Sequence, residues 1–138
     1  MEEKAKKARV LIVDDEDRFR HTLRKLLEAN GYNVEEAGDG YEALEKVKES
    51  KFDVILLDVK MPGMHGVEVL AKLKKLDPLP EVIILTGHAS VDIAVQMIKL
   101  GGYEYLLKPC PIDEIIVKID EAHEKKKAKE NLMLTKVK

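Results

Sequence analysis

The chain has 138 residues, 45% hydrophobic and 36% charged, with a net charge of −2, a balance that excludes a disordered chain and fits one compact domain. Residues 1–9 sum to +2 and residues 123–138 to +4, leaving −8 between them, so the core has no clustered basic face and no direct contact with nucleic acid is expected. The single cysteine, Cys110, excludes an internal disulfide, and no apolar run suits a signal h-region or membrane span, so the chain reads as cytoplasmic without membrane insertion.

In chain order, residues 1–8 read as an N-terminal tail, 9–124 as one domain and 125–138 as a basic C-terminal helix extension or tail. The first strand is Val10-Leu11-Ile12-Val13, followed by a helix whose stripe is Phe19, Leu23, Leu26 and Leu27 and which Gly31 stops. A weaker strand at Asn33–Ala37 precedes a helix marked by Ala43, Leu44 and Val47. Val54-Ile55-Leu56-Leu57 is a third strand, followed by a stripe of Val69, Leu70, Leu73 and Leu76. Val82-Ile83-Ile84-Leu85 is the fourth, and its helix runs from an N-cap at Ser90 through Ala94, Val95, Met97 and Ile98 to Gly101 and Gly102. A weaker fifth strand at Tyr103–Leu107 leads to Ile115, Ile116, Ile119 and Ala122.

Continuously apolar strands alternating with helices predict a parallel sheet covered on both faces. The last helix outlasts its apolar stripe and reads as projecting from the body. Leu132, Met133, Leu134 and Val137 read as a frayed tail; a dimer contact or the start of a linker to another domain is the alternative.

In an open parallel sheet, ligands bind outside the carboxyl ends of the strands. Asp14 and Asp15 stand after the first strand, Asp58 after the third, Thr86 after the fourth and Lys108 after the fifth. Like charges about 4 Å apart repel by about 4 kcal/mol at an effective dielectric of 20, so three ionised aspartates need proton or counter-charge. Lys108 supplies one positive charge, and a hard cation such as Mg²⁺ would supply two more. A carboxylate neutralised in this way can attack phosphorus. Of the adjacent pair Asp14 and Asp15, one can bind a metal directly while the other assists through water. Asp58, alone on its strand, is the better acceptor.

Val-Asp-Asp-Glu at 13–16, Leu-Leu-Asp-Val-Lys-Met-Pro-Gly-Met at 56–64, Leu-Thr-Gly at 85–87 and Tyr-Leu-Leu-Lys-Pro at 105–109 together resemble the receiver domain of two-component response regulators, from about residue 8 to residue 124. The resemblance implies an α/β, flavodoxin-like (βα)5 fold, a doubly wound parallel sheet of order 2-1-3-4-5. It implies phosphotransfer from a histidine kinase or histidine phosphotransfer protein to Asp58, and hydrolysis from that residue, with no turnover of an external substrate. By position, Asp15, Asp58 and the backbone carbonyl of Lys60 would hold Mg²⁺, with Mn²⁺ a substitute, and Asp14 would assist. Thr86 would move to bind the phosphoryl group, Lys108 would pair with it, Tyr105 would turn inward as an aromatic switch, and Lys108-Pro109 would be cis. The output would be binding to a downstream protein, or to a second copy, through the fourth helix, fifth strand and fifth helix.

Some positions depart from the family pattern: Gly87 replaces a small residue such as Ala, His65 a common acid and Cys110 a common Phe. Lys60 and His88 lie two residues past Asp58 and Thr86, where the resemblance implies tuning of phosphoryl lifetime. Blander readings stand beside these. Asp14 and Asp15 suit helix N-caps, Thr86 a strand end, Tyr105 a half-buried strand aromatic, and Cys110 a small buried residue. His21, His65, His88 and His123 show no metal-ligand spacing and read as surface residues. Competing functions are a Mg²⁺-dependent aspartyl phosphatase, whose class places an Asp-x-Asp nucleophile after the first strand where this chain has Asp14-Asp15-Glu16-Asp17, and for which no insertion is long enough to form a cap, and a nucleotide or flavin site, for which the first turn lacks glycines. A receiver that no longer takes phosphate is disfavoured because all five chemical positions are filled.

Overall fold

The computed structural model describes residues 6–137, with side chains through residue 135. The first five residues of the N-terminal tail and the Val137 side chain lie outside the described part. Strands β1 (Arg9–Val13), β2 (Asn33–Ala37), β3 (Val54–Leu57), β4 (Glu81–Thr86) and β5 (Glu104–Leu107) alternate with helices α1 (Asp17–Ala29), α2 (Gly40–Glu49), α3 (Gly66–Leu76), α4 (Val91–Lys99) and α5 (Ile112–Val137). The sheet is wholly parallel, in the order β2-β1-β3-β4-β5. This is the doubly wound flavodoxin-like arrangement the sequence implies.

Alternation along the strands divides the core in two. Leu11, Val13, Ile55, Leu57, Val82 and Ile84 face α2, α3 and α4, packing on Ala43, Val47, Val69, Leu70, Leu73 and Met97. Val10, Ile12, Val54, Leu56, Ile83 and Leu85 face α1 and α5, packing on Leu23, Leu27, Ile115, Ile119 and Ala122. Both faces are covered, which is why the central strands are apolar without a polar alternate.

Punctuation in the sequence matches the helix ends. Gly31 and Gly101 take φ of +93° and +103°, and the Ser90 hydroxyl accepts from the Ile93 amide at 3.2 Å. The stripes are narrower than the spacing predicts. In α4 only Met97 is fully buried, while Val95 and Ile98 are nearly half exposed, as are Leu26 and Leu76. A helix over one sheet edge has less surface to cover than its apolar count suggests.

The last helix corrects one expectation. It runs unbroken to Val137, and its basic stretch does not simply project. Lys126, only 8% exposed, reaches Asp53 at 2.8 Å, and Lys129 pairs with buried Glu81. These pairs fasten α5 beneath the amino ends of β3 and β4. Beyond them, Leu132, Met133 and Leu134 are exposed.

Candidate functional site

The β ladder continues by one hydrogen bond past each strand end and so fixes the residues that follow. The Asp14 amide donates to Ala37 O at 3.1 Å, the Asp58 amide to Val13 O at 3.0 Å, and the Lys108 amide to Thr86 O at 2.8 Å. Asp14, Asp58 and Lys108 therefore emerge together at one edge.

Carboxylate oxygens of Asp14, Glu16 and Asp58 lie within 4.8 Å of one another. Lys108 Nζ enters this group, 2.7 Å from Asp14 Oδ2, 3.3 Å from Glu16 Oε1 and 3.6 Å from Asp58 Oδ2. Its ammonium also sits 4.1 Å from the centre of the Phe19 ring. Asp14 and Asp58 are 2% and 6% exposed. Burial pushes the Asp14 pKa up, and the hydrogen bonds from Lys108 and the Glu16 amide only partly offset it. Burial alone would lower the Lys108 pKa, but Asp14 and Asp58 outweigh it, and the ammonium is held above its usual range. Three carboxylates against one ammonium leave two negative charges uncompensated. A hard divalent cation with oxygen ligands fits that donor set.

Asp15 is exposed and is not one of the three residues whose oxygens converge; Glu16 takes that place. Lys60 is exposed in the loop after β3. Neither Asp14 nor Asp15 caps α1: the N-cap position belongs to Glu16, which makes no capping bond. Asp14 Oδ1 instead accepts from the Glu16 amide at 2.9 Å and shapes the turn.

Asp58 Oδ1 accepts from the Val59 amide at 2.7 Å. Beyond it the loop doubles back, and the Gly66 amide donates to Val59 O at 2.7 Å. A Cβ at Gly66 would stand 2.7 Å from Val59 Cα and 2.8 Å from Asp58 O, so only glycine permits this approach. Its signal in the sequence is the second glycine of Pro62-Gly63-Met64-His65-Gly66. His65, which departs from the family's acid, caps α3 through Nδ1, accepting from the Val67 amide at 3.2 Å.

Thr86 is 1% exposed, and its Oγ1 accepts from the His88 amide at 3.2 Å. Tyr105 is half-buried and donates from its hydroxyl to His88 O at 2.6 Å. Burial and the Asp58 charge both raise the Tyr105 pKa. The chain from Thr86 through His88 thus lies between hydroxyl and ring. An added Cβ at Gly87 would meet nothing within 4 Å, so that departure leaves open space beside Thr86. Lys108-Pro109 is cis. Cys110 is half-buried against the α1 and α5 layer.

The histidines are not uniformly surface residues. His21 is exposed and pairs with Glu36, and His88 is half-buried, with its amide bonded to Thr86 and its carbonyl to Tyr105. His123, with 12% of its side chain exposed, lies 3.7 Å from Asp53. Arg20 is the main omission of the sequence reading: it is 8% exposed and donates to Asp14 O. Its signal was available, since Arg20 falls in helical phase with buried Leu23 and Leu27.

Parallel doubly wound topology with carboxylates, a hydroxyl and an ammonium at the carboxyl edge defines a class, and comparison with known proteins identifies it. The model of the response regulator receiver domain matches residues 10–120. The transcriptional regulatory protein ZraR of Klebsiella oxytoca is 41% identical over 113 residues, covering 82% of this chain and 26% of that protein. The response regulator MprA of Mycobacterium leprae is 42% identical over 112 residues, covering 80% and 49%. The chain thus spans about a quarter to a half of the length of these curated relatives.

A CheY-like receiver domain protein from Methanospirillum hungatei superposes with a TM-score of 0.86 at 34% identity, covering 89% of this chain and 98% of that one. A Burkholderia pseudomallei response regulator, solved with a phosphorylated aspartic acid, calcium ion and citrate, gives a TM-score of 0.78 at 34% identity, covering 91% and 74%. The chain belongs to the receiver domain family of two-component response regulators.

Proposed function

We propose that this receiver accepts a phosphoryl group on Asp58 in a divalent-cation-dependent reaction and thereby switches a protein-binding surface. The observation that carries the reading is the convergence of Asp14, Glu16 and Asp58 on Lys108 with two negative charges uncompensated. The phosphorylated aspartic acid and calcium ion of the Burkholderia relative support it.

Mg²⁺, or Mn²⁺ in its place, would be held by Asp58 with Asp14, Asp15 or Glu16 and the Lys60 carbonyl, and when bound supplies positive charge that offsets charge on the transferring group. An Asp58 oxygen attacks phosphorus. The P–N bond of a phosphohistidine on a histidine kinase or phosphotransfer protein breaks, and its electron pair returns to the imidazole nitrogen. Lys108 neutralises the carboxylates before transfer and pairs with a phosphoryl oxygen after it.

Phosphorylation adds about one negative charge and three strong acceptors at Asp58. The Thr86 hydroxyl, at the carboxyl end of β4, would turn toward them and donate. Moving it gives up the bond from the His88 amide and shifts the carbonyl on which Tyr105 rests, which couples Asp58 to the α4 and β5 surface. That surface exposes Val91, Val95, Ile98, Leu107 and, on α5, Val117, apolar groups suited to a downstream protein or a second copy. We take residues 9–124 as the switching unit and 125–138 as its basic extension, in the cytoplasm, without direct nucleic-acid contact. Among the described residues no helix is long and apolar enough to cross a membrane.

Incubation with acetyl phosphate and Mg²⁺, followed by intact mass, tests the reading. A labile adduct of about 80 Da, the mass of a phosphoryl group, absent from Asp58→Ala and abolished by chelator, is expected. Wild-type protein without an adduct would refute it.

A further inference from the structure

The acidic cluster hangs on the turn between β1 and α1, and a charged group is useful only if its support holds it in place. Arg20, in the first turns of α1, supplies such support from below. Its Nη1 donates to Asp14 O at 2.6 Å, its Nε donates to Glu36 Oε1 at 2.8 Å, and its Nη2 lies 2.9 Å from Asp17 Oδ1. One planar guanidinium thus joins the end of β1, the end of β2 and the start of α1. Glu36 is itself held by His21 Nδ1 at 2.7 Å and Arg24 Nη1 at 3.1 Å, so the guanidinium rests on a fixed partner.

Asp14 is consequently gripped from opposite sides. Its carboxylate meets Lys108 Nζ at 2.7 Å and the Glu16 amide at 2.9 Å, while its carbonyl meets Arg20. A carbonyl bonded in this way fixes the peptide plane between Asp14 and Asp15. That plane sets where the next two acidic side chains leave the backbone relative to Asp58. A lysine at position 20 would keep charge but not the fork that reaches three oxygens at once.

We propose that Arg20 is a positioning residue for the divalent-cation site: by clamping the Asp14 carbonyl to Glu36 and Asp17, it sets the spacing of the acidic turn and hence its affinity for the cation. The inference rests on the reading of the site as a cation-dependent phosphoryl acceptor. Supporting partners of metal ligands typically contribute 10–100-fold in metal affinity, whereas an arginine that only packs α1 on β2 would alter melting and leave affinity alone.

The test measures Mg²⁺ binding to the unphosphorylated chain by calorimetry, exchange of the Glu16 amide by NMR, and acetyl phosphate labelling across Mg²⁺ concentrations. Arg20→Met should weaken Mg²⁺ binding by about 10-fold or more, Arg20→Lys by less, and labelling at saturating Mg²⁺ should fall by no more than about threefold. The Glu16 amide should exchange faster in both. Mg²⁺ affinity within about twofold of wild type in Arg20→Met would overturn the proposal, whatever happens to melting. If Arg20→Met does not fold, Arg20→Lys decides by the same criterion. Failure of the wild type itself to bind Mg²⁺ or take an adduct would overturn the site reading, and the inference with it.

Discussion

At the amino ends of β3 and β4, Asp53 and Glu81 meet Lys126 and Lys129, with Lys74 and His123 close by. At the carboxyl ends of β1 and β3, Asp14, Glu16 and Asp58 share one cation among the described residues, Lys108. Burial pushes the carboxylate pKa up at both ends of the sheet, yet the net results are opposite. For Asp53, the bonds from the Arg9 amide and Lys126 overcome burial and hold the pKa below its usual 3.8. For Asp14, burial prevails over Lys108 and the pKa lies above it. A buried acid with enough donors becomes a fastening; one without them stays poised for a ligand that brings charge.

The largest contrast should appear in chemistry. Asp58→Ala should lose all acetyl phosphate labelling in intact mass spectra, while Asp53→Asn should label to the wild-type extent. Loss of labelling in Asp53→Asn would show that the two ends are coupled. Stability should respond to the cation next. At a hundredfold excess over its dissociation constant, Mg²⁺ should stabilise the wild type and Asp53→Asn by about 2.7 kcal/mol in thermal or urea unfolding, and Asp58→Ala far less.

Without a cation the order should invert. Asp53→Asn should cost about 1–3 kcal/mol in urea unfolding because it strips a charged partner from Lys126. Asp14→Asn should cost less, since it relieves repulsion within the acidic group. The smallest effect is in pH dependence. Asp53, with a lowered folded pKa, contributes stability that is present above pH 3.8 and lost as pH falls through the folded value. Asp14, with a raised folded pKa, contributes in the opposite sense: its share is complete below pH 3.8 and is lost as pH rises through the folded value. Urea unfolding across this range should therefore show a shallower acid loss in Asp53→Asn and a steeper one in Asp14→Asn.

Much of the carboxyl edge was legible in advance because strand ends are legible. A continuously apolar run such as Val54–Leu57 declares a buried parallel strand, and the residue after it must emerge at the edge. That reasoning placed Asp14, Asp58, Thr86 and Lys108 without any view of their partners. The amino edge was not legible. Lys126 and Lys129 follow the last apolar position of α5 and resemble a solvated helix end, and nothing near them in the chain discloses that Asp53 and Glu81 lie beneath. For Arg20 the burial was legible, from its phase with Leu23 and Leu27, but its partners were not: a backbone carbonyl at 14 and a carboxylate at 36.

Periodicity along the chain determined the elements, their order and which residues end each strand, because burial on one or two faces leaves a local pattern. Tertiary structure decided the pairings that strand ends do not announce, those of Glu16 at one edge and of Lys126 and Lys129 at the other. Glu16 rather than Asp15 converges on Asp14 and Asp58 because the turn, bonded from the Glu16 amide to Asp14, aims successive side chains differently. Charge pairing falls off over a few ångströms and ignores sequence distance, so it is settled only when the sheet brings residues 14, 58 and 108 to one edge and 53, 81, 126 and 129 to the other.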